Sequence, residues 1–175
     1  MKKHYLLLCA AILLTMILSG CAKAKSGSAE PEGVYVRYNG TNITAGMKYE
    51  DVKDGLGEES RTPEVILPCD GGDAYKDTMH FYPGFVVTEN IDGVISEMEI
   101  TDMYDAGGDA MVNGKVKVGD NQATVIEALG EPDIYPIPED DYSMTYTNGN
   151  QLTLLFLDPD NKDIVNDIMF TLREN

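Results

Sequence analysis

A short segment of this chain occurs twice, and that repetition limits the folds it can adopt. Residues 43–58 read ITAGMKYEDVKDGLGE and residues 116–131 read VKVGDNQATVIEALGE. Aligned without gaps, Gly46 meets Gly119, Val52 meets Val125, Leu56 meets Leu129, and Gly57-Glu58 meets Gly130-Glu131. Equivalent segments must form equivalent local structure. Val52/Leu56 and Val125/Leu129 stand at i, i+4, on one face of a helix. Gly57 and Gly130 fall where a glycine ends a helix, and Pro132 cannot continue one. Each copy therefore predicts a short amphipathic helix.

Strand patterns follow each helix. In the first copy they are 79–81, 85–88 and 94–101; in the second, 143–147, 151–157 and 164–172. Turn residues separate them, at Pro83-Gly84, Asp92-Gly93, Asn148-Gly149 and around Asp158. A further hairpin, VYVRY and TNIT around Asn39-Gly40, opens the domain. Hairpin connections make neighbouring strands antiparallel. The expected class is α+β: two tandem repeats of short helix plus antiparallel strands, with the helices packed on one face of the sheet. The repeats would span about 34–102 and 112–175, within a single domain over 34–175.

The spacing Gly-x₅-Val-x₃-Leu-Gly, followed by an aromatic strand and two more strands, resembles the repeat of the β-lactamase-inhibitor-protein-like fold. Small outer-membrane-assembly lipoproteins of the SmpA/OmlA type share that unit, and two-repeat lipoproteins of Gram-positive gut bacteria are similar. The resemblance implies a protein-binding role, as an inhibitor or assembly factor, rather than catalysis. The paired cysteines of the secreted inhibitors are missing from this chain.

The N-terminus predicts export and a lipid anchor. Lys2 and Lys3 precede an apolar stretch from Leu6 to Leu18 that ends in Leu18-Ser19-Gly20-Cys21. Such a stretch is shorter than the ~20 residues of a comfortable membrane span and suits a signal peptide. Residues 1–20 are thus expected to leave as a lipoprotein signal, with Cys21 acylated and holding the chain on a membrane. Residues 21–33, small and polar, form a flexible tether. The expected location is extracytoplasmic, anchored at the cell envelope.

Charge narrows the partners. There are 13 Lys+Arg against 30 Asp+Glu, a formal net charge of -17. Nucleic acid would be repelled. Of three cysteines, Cys9 lies in the signal and Cys21 takes lipid, so Cys69 is alone and no disulfide within the domain can form. Cys69 is either a buried small apolar residue or a reactive thiol.

The residues give little support to an enzyme. His4 lies in the signal, leaving His80 as the one histidine of the mature chain. A Cys69/His80 dyad is the sole nucleophile–base pair available, and no Gly-x-Ser-x-Gly elbow accompanies it. No catalytic residue, cofactor or metal site is assigned. Asp158, Asp160 and Asp163 resemble the start of a calcium loop, but Lys162 occupies a ligand position and no glycine follows, so a polar hairpin tip is expected. Glu139-Asp140-Asp141 reads as a solvated loop, and Asp102, Asp105 and Asp109 as an acidic linker.

Alternation along the strands sorts their residues into faces. Met79, Phe81, Met144, Tyr146, Leu152, Leu154 and Phe156 form one apolar set, assigned to the helix-covered core. The opposite face then carries His80, Tyr82, Thr145, Thr147, Thr153, Leu155, Leu157, Val165 and Met169. Of these, His80, Tyr82, Thr145, Leu155, Leu157 and Met169 are the candidate partner-binding face, since exposed apolar surface marks contact sites and tyrosine is enriched there. The competing arrangement buries both faces, and a one-residue slip of register would exchange them. The expected function is a membrane-tethered, non-catalytic protein-binding module. The alternative is a ligand- or calcium-sensing surface lipoprotein using the acidic loops.

Overall fold

The computed structural model describes residues 33–67, 76–135, 143–149, 151–158, 160–161 and 163–172. The expected signal segment and tether (residues 1–32, with Cys21), Cys69 and Glu139-Asp140-Asp141 lie outside them. The elements in chain order are β1 (Val36–Tyr38), β2 (Thr41–Ile43), α1 (Tyr49–Leu56), β3 (Glu64–Ile66), β4 (Asp77–Tyr82), β5 (Phe85–Glu89), β6 (Ile95–Thr101), β7 (Met111–Val112), α2 (Gln122–Leu129), β8 (Ser143–Asn148), β9 (Gln151–Leu157) and β10 (Val165–Leu172).

The expected α+β class, tandem helix-plus-strand repeats with helices covering one face, is not what forms. Strand is the dominant regular structure among the described residues, arranged as two antiparallel sheets with two helices of eight residues each. One sheet has seven strands in the order β3-β4-β5-β6-β10-β9-β8; the other has three, β2-β1-β7. The reason is one of size. Seven strands at ~4.8 Å spacing make a surface roughly 30 Å wide, whereas an eight-residue helix is only ~12 Å long. Helices of that length leave most of the face uncovered. The N-terminal hairpin pairs with β7, a short strand that the sequence pattern does not signal, and forms a second sheet.

What recurs is the local docking of the repeated segment. Gly46 N–H donates to the Ile95 carbonyl at 2.8 Å, and Gly119 N–H donates to the Val165 carbonyl at 2.7 Å. Both glycines have φ near +95° (94° and 95°), a backbone region open to glycine. Each helix entrance is thereby pinned to the start of one of the two strands, β6 and β10, that meet at the sheet centre. The caps differ between copies. Asn121 accepts from the Thr124 N–H to cap α2, whereas α1 has no side-chain cap and relies on Glu50 and Asp51 in its first turn.

The core lies between one face of the large sheet and a cover made of the small sheet plus a stripe from each helix. Val36, Tyr38, Ile43 and Val112 of the small sheet, Tyr49, Val52 and Leu56 of α1, and Val125 of α2 share one buried cluster with Phe85, Val87, Met98, Ile100, Ile168 and Phe170. The Tyr38 ring sits 5.1 Å from Phe85 and 5.8 Å from Tyr82. We call this covered side the near face and the opposite side the far face.

Register overturns the expected sorting of faces. The Pro83-Gly84 turn sets Tyr82 opposite Phe85 and His80 opposite Val87, and Val87 in turn faces Met98. Across the centre, Ile100 faces Ile168, which faces Leu155, which faces Met144. His80, Tyr82, Leu155 and Leu157, expected to be open, therefore belong to the near face and are buried. Met79, Phe81, Leu154 and Phe156, expected in the core, lie on the far face; Met144 and Tyr146 remain on the near one. Thr145 and Met169 do lie opposite the core, though Thr145 is buried. The sequence of β9 cannot reveal this, because Leu154-Leu155-Phe156-Leu157 is apolar at every position. The deciding residues are on β6 and β10, where Met98/Ile100 and Ile168/Phe170 alternate with Glu97/Glu99 and Asp167/Met169.

Candidate functional site

Two side-chain constellations stand out, one on each face of the large sheet. On the near face, His80 is buried at the edge of the core, with both ring nitrogens engaged. Nδ1 lies 2.8 Å from Glu59 Oε1 and Nε2 lies 3.1 Å from Glu89 Oε2. The Tyr49 ring stacks on the imidazole at 3.9 Å between centroids. The Tyr49 hydroxyl lies 3.1 Å from the same Glu59 oxygen and 2.7 Å from the Tyr82 hydroxyl. Burial, then the hydrogen bond with Tyr82, pushes the Tyr49 phenol well above its ordinary range. This network joins α1, the loop after it, β4 and β5. It holds His80 between two carboxylates and buries it at the edge of the core.

The far face carries a different chemistry. Glu97 and Glu99 of β6 and Asp167 of β10 project from the centre of the sheet, where β6 and β10 pair. Around them are Val86 and Thr88 of β5, Leu154 and Phe156 of β9, and Met169 of β10. Burial pushes the Glu99 carboxyl up to about 7; the charge of Asp167, a hydrogen bond with it, and the charge of Glu97 add to the shift. Burial also raises Asp167, against the opposing effect of hydrogen bonds from Glu99 and from the Ile168 N–H. Glu97 is raised by burial and then by Asp77 and Asp167. The Asp167 Oδ1 is buried with no hydrogen-bond partner among the described residues. Beside Glu97 opens a cleft of about 500 Å³ walled by Ile66, Asp77, Met79, Thr88 and Thr171. At the other end Phe81 is covered, with the Arg61 guanidinium 3.6 Å above its ring and Tyr104 edge-on at 5.4 Å.

The acidic loops are occupied with their own turns. Asp158 Oδ1 accepts from the N–H groups of Asp160 and Asn161, at 2.7 and 3.0 Å, closing the tip between β9 and β10. Asp160 and Asp163 are exposed. Among the described residues no three His, Cys, Asp or Glu side chains converge as a metal site. In the linker, Asp105 accepts from the Ser60 hydroxyl at 2.6 Å and Asp109 from the Asn39 N–H at 2.9 Å. Gly108 packs so closely on the Pro83 carbonyl that a Cβ there would collide with it. These carboxylates fasten the linker to the loop after α1 and to the β1–β2 turn.

Sequence reasoning passed over the far-face trio because carboxylates are abundant in this chain. A signal was present, however: Glu97 and Glu99 alternate with Met98 and Ile100 inside a strand, so they must share one face. Only the pairing of β6 with β10 brings Asp167 to them.

No protein-family model and no curated protein matches the chain. Two solved chains do. One is a cysteine-rich secretory protein from Staphylococcus aureus, 13% identical with a TM-score of 0.43; the match covers 73% of this chain and 44% of that one. The chain thus spans less than half the length of that protein, and at this level of likeness the match carries no functional argument. Among the described residues no helix is long and apolar enough to cross a membrane.

Proposed function

We propose that this chain is a lipid-anchored, non-catalytic binding module outside the cytoplasm, held by Cys21 and engaging a protein partner with the far face of its large sheet. The observation that carries the reading is the asymmetry of the sheet. Every described element outside it contributes to the near-face core. The far face meanwhile keeps Met79, Leu154, Phe156 and Met169 partly exposed. A sheet face with partly exposed apolar side chains suits contact with another protein. The net charge of -17, and the carboxylates at the centre of the face, favour a neutral or basic partner surface. The lipobox-like Leu18-Ser19-Gly20-Cys21 supports the anchor.

The test is crosslinking of the full lipidated chain in native membranes, with Leu154→Asp plus Phe156→Asp as the far-face variant and Glu127→Gln as an exposed control. The expected result is one protein captured in near-equal amount by wild type and control, and lost in a far-face variant that still melts at the wild-type temperature. Retention of that protein by the variant would rule out the far face. Absence of any stoichiometric protein from the wild-type capture would rule out the binding reading. Separately, Cys21→Ser is expected to move the protein out of the membrane fraction.

A further inference from the structure

We propose that the β6–β10 pairing is locked by a single proton held between the Glu99 and Asp167 carboxyl groups, so that the sheet loosens at its centre as the surroundings turn alkaline. This device stands apart from the binding reading and does not depend on it.

The geometry begins with register. Glu99 lies directly across from Met169, and Asp167 across from Thr101, so the two acids are diagonal neighbours on one face. Diagonal side chains in an antiparallel pair are within reach of each other when long. The register sets both carboxyls on one half-buried patch of the far face, where Asp167 Oδ1 is buried with no hydrogen-bond partner among the described residues, and a hydrogen bond between the two side chains contributes to the shifts of both. Two ionised carboxylates offer only acceptors, so such a bond requires a proton on one of them. Burial raises both carboxyls, and Asp167 also accepts from the Ile168 N–H, which favours its charged form, so Glu99 is the better-placed carrier of the shared proton.

Among the described residues in register with the pair there is no positive charge. Facing the pair on the far face are Glu97 on β6, Val86 and Thr88 on β5, Leu154 and Phe156 on β9, and Met169 on β10. Farther out come Asp77 on β4 and Glu64 on β3. Every titratable group among these is a carboxylate. Arg61 is engaged over Phe81 and Tyr104. Deprotonating Glu99 would therefore place like charges side by side in a half-buried setting, at the line where β4-β5-β6 and β10-β9-β8 join.

The sign follows from linkage. Glu99 is raised in the folded state, from an ordinary value of 4.5 to about 7. Its contribution to stability is fully present below the unfolded value and is lost as pH rises through the folded one. The lock is closed in mild acid and open in mild alkali.

The test uses the full chain in detergent micelles. Carboxyl ¹³C resonances are followed from pH 4 to pH 9, and thermal unfolding is measured across the same range for wild type, Glu99→Gln and the exposed control Asp102→Asn. The expected result is a Glu99 midpoint within about a unit of neutral. The wild-type melting temperature should fall by roughly 4 °C between pH 5.5 and 8.5. Glu99→Gln should lose at least half of that dependence and melt above wild type at pH 8.5, while Asp102→Asn keeps the wild-type slope. A Glu99 midpoint below 5, or a Glu99→Gln slope equal to wild type, would overturn the proposal. Should Glu99→Gln not fold, the wild-type resonance decides by itself.

Discussion

The two faces of the seven-stranded sheet are made from alternate residues of the same strands, yet they solve opposite problems. On the near face Met98, Ile100, Leu155, Ile168 and Phe170 meet the small sheet and both helices, and His80 is locked by two carboxylates and a stacked tyrosine. On the far face Glu97, Glu99 and Asp167 sit half-buried between the buried Val86 and the partly exposed Leu154, Phe156 and Met169; among the described residues no cation is in register with them and one carboxylate oxygen has no partner. Among the described residues the one buried side-chain polar atom without a partner, Asp167 Oδ1, lies on the far face. The difference teaches that this sheet invests its stability on one side and keeps titratable, contact-capable chemistry on the other.

The largest expected effect separates neighbours on β9. Leu155→Ala, which empties a fully buried near-face site, should destabilise the domain by about 2–5 kcal/mol in urea unfolding. Next comes His80→Ala, which strips Glu59 and Glu89 of their shared partner and Tyr49 of its stack. It should cost about 1–3 kcal/mol in the same measurement. Leu154→Ala, one residue from Leu155 but on the far face and partly exposed, should cost only about 1 kcal/mol. Equal losses at 154 and 155 would erase the distinction between the faces. The smallest effect is of opposite sign. Glu97 is raised in the folded state, so its charge opposes folding as pH rises above the ordinary carboxylate range. Glu97→Gln should therefore melt slightly above wild type at pH 8 and match it at pH 4; a lower melting temperature at pH 8 would show that the Glu97 charge has a partner.

Much of the local structure was legible. The repeated Gly-x₅-Val-x₃-Leu-Gly pattern places both helices, since Val52, Leu56 and Val125 are buried, Leu129 packs partly buried against the same core, and Gly57 and Gly130 end the helices. The turn residues at Pro83-Gly84, Asp92-Gly93 and Asn148-Gly149 bracket the six long strands correctly. The second sheet was not legible. β7 is two residues long, and its pairing with β1 joins segments some seventy-five residues apart, which no local pattern encodes. The site suffered the same limit. His80 and Tyr82 look like surface residues when β4 is read alone, and only pairing with Val87 and Phe85 turns them inward.

By itself, then, the sequence determined where the chain turns, where its two helices start and stop, and which residues of β6 and β10 share a side. Those properties depend on glycine and proline geometry and on side-chain alternation, all within a few residues. The tertiary structure decided which side of each strand became the core, that a three-stranded sheet rather than the helices would do most of the covering, and that Glu99 would meet Asp167. Each of those outcomes depends on which distant strands lie next to one another. In a strand such as β9, apolar on both sides, the local energies are balanced, and only long-range burial breaks the tie.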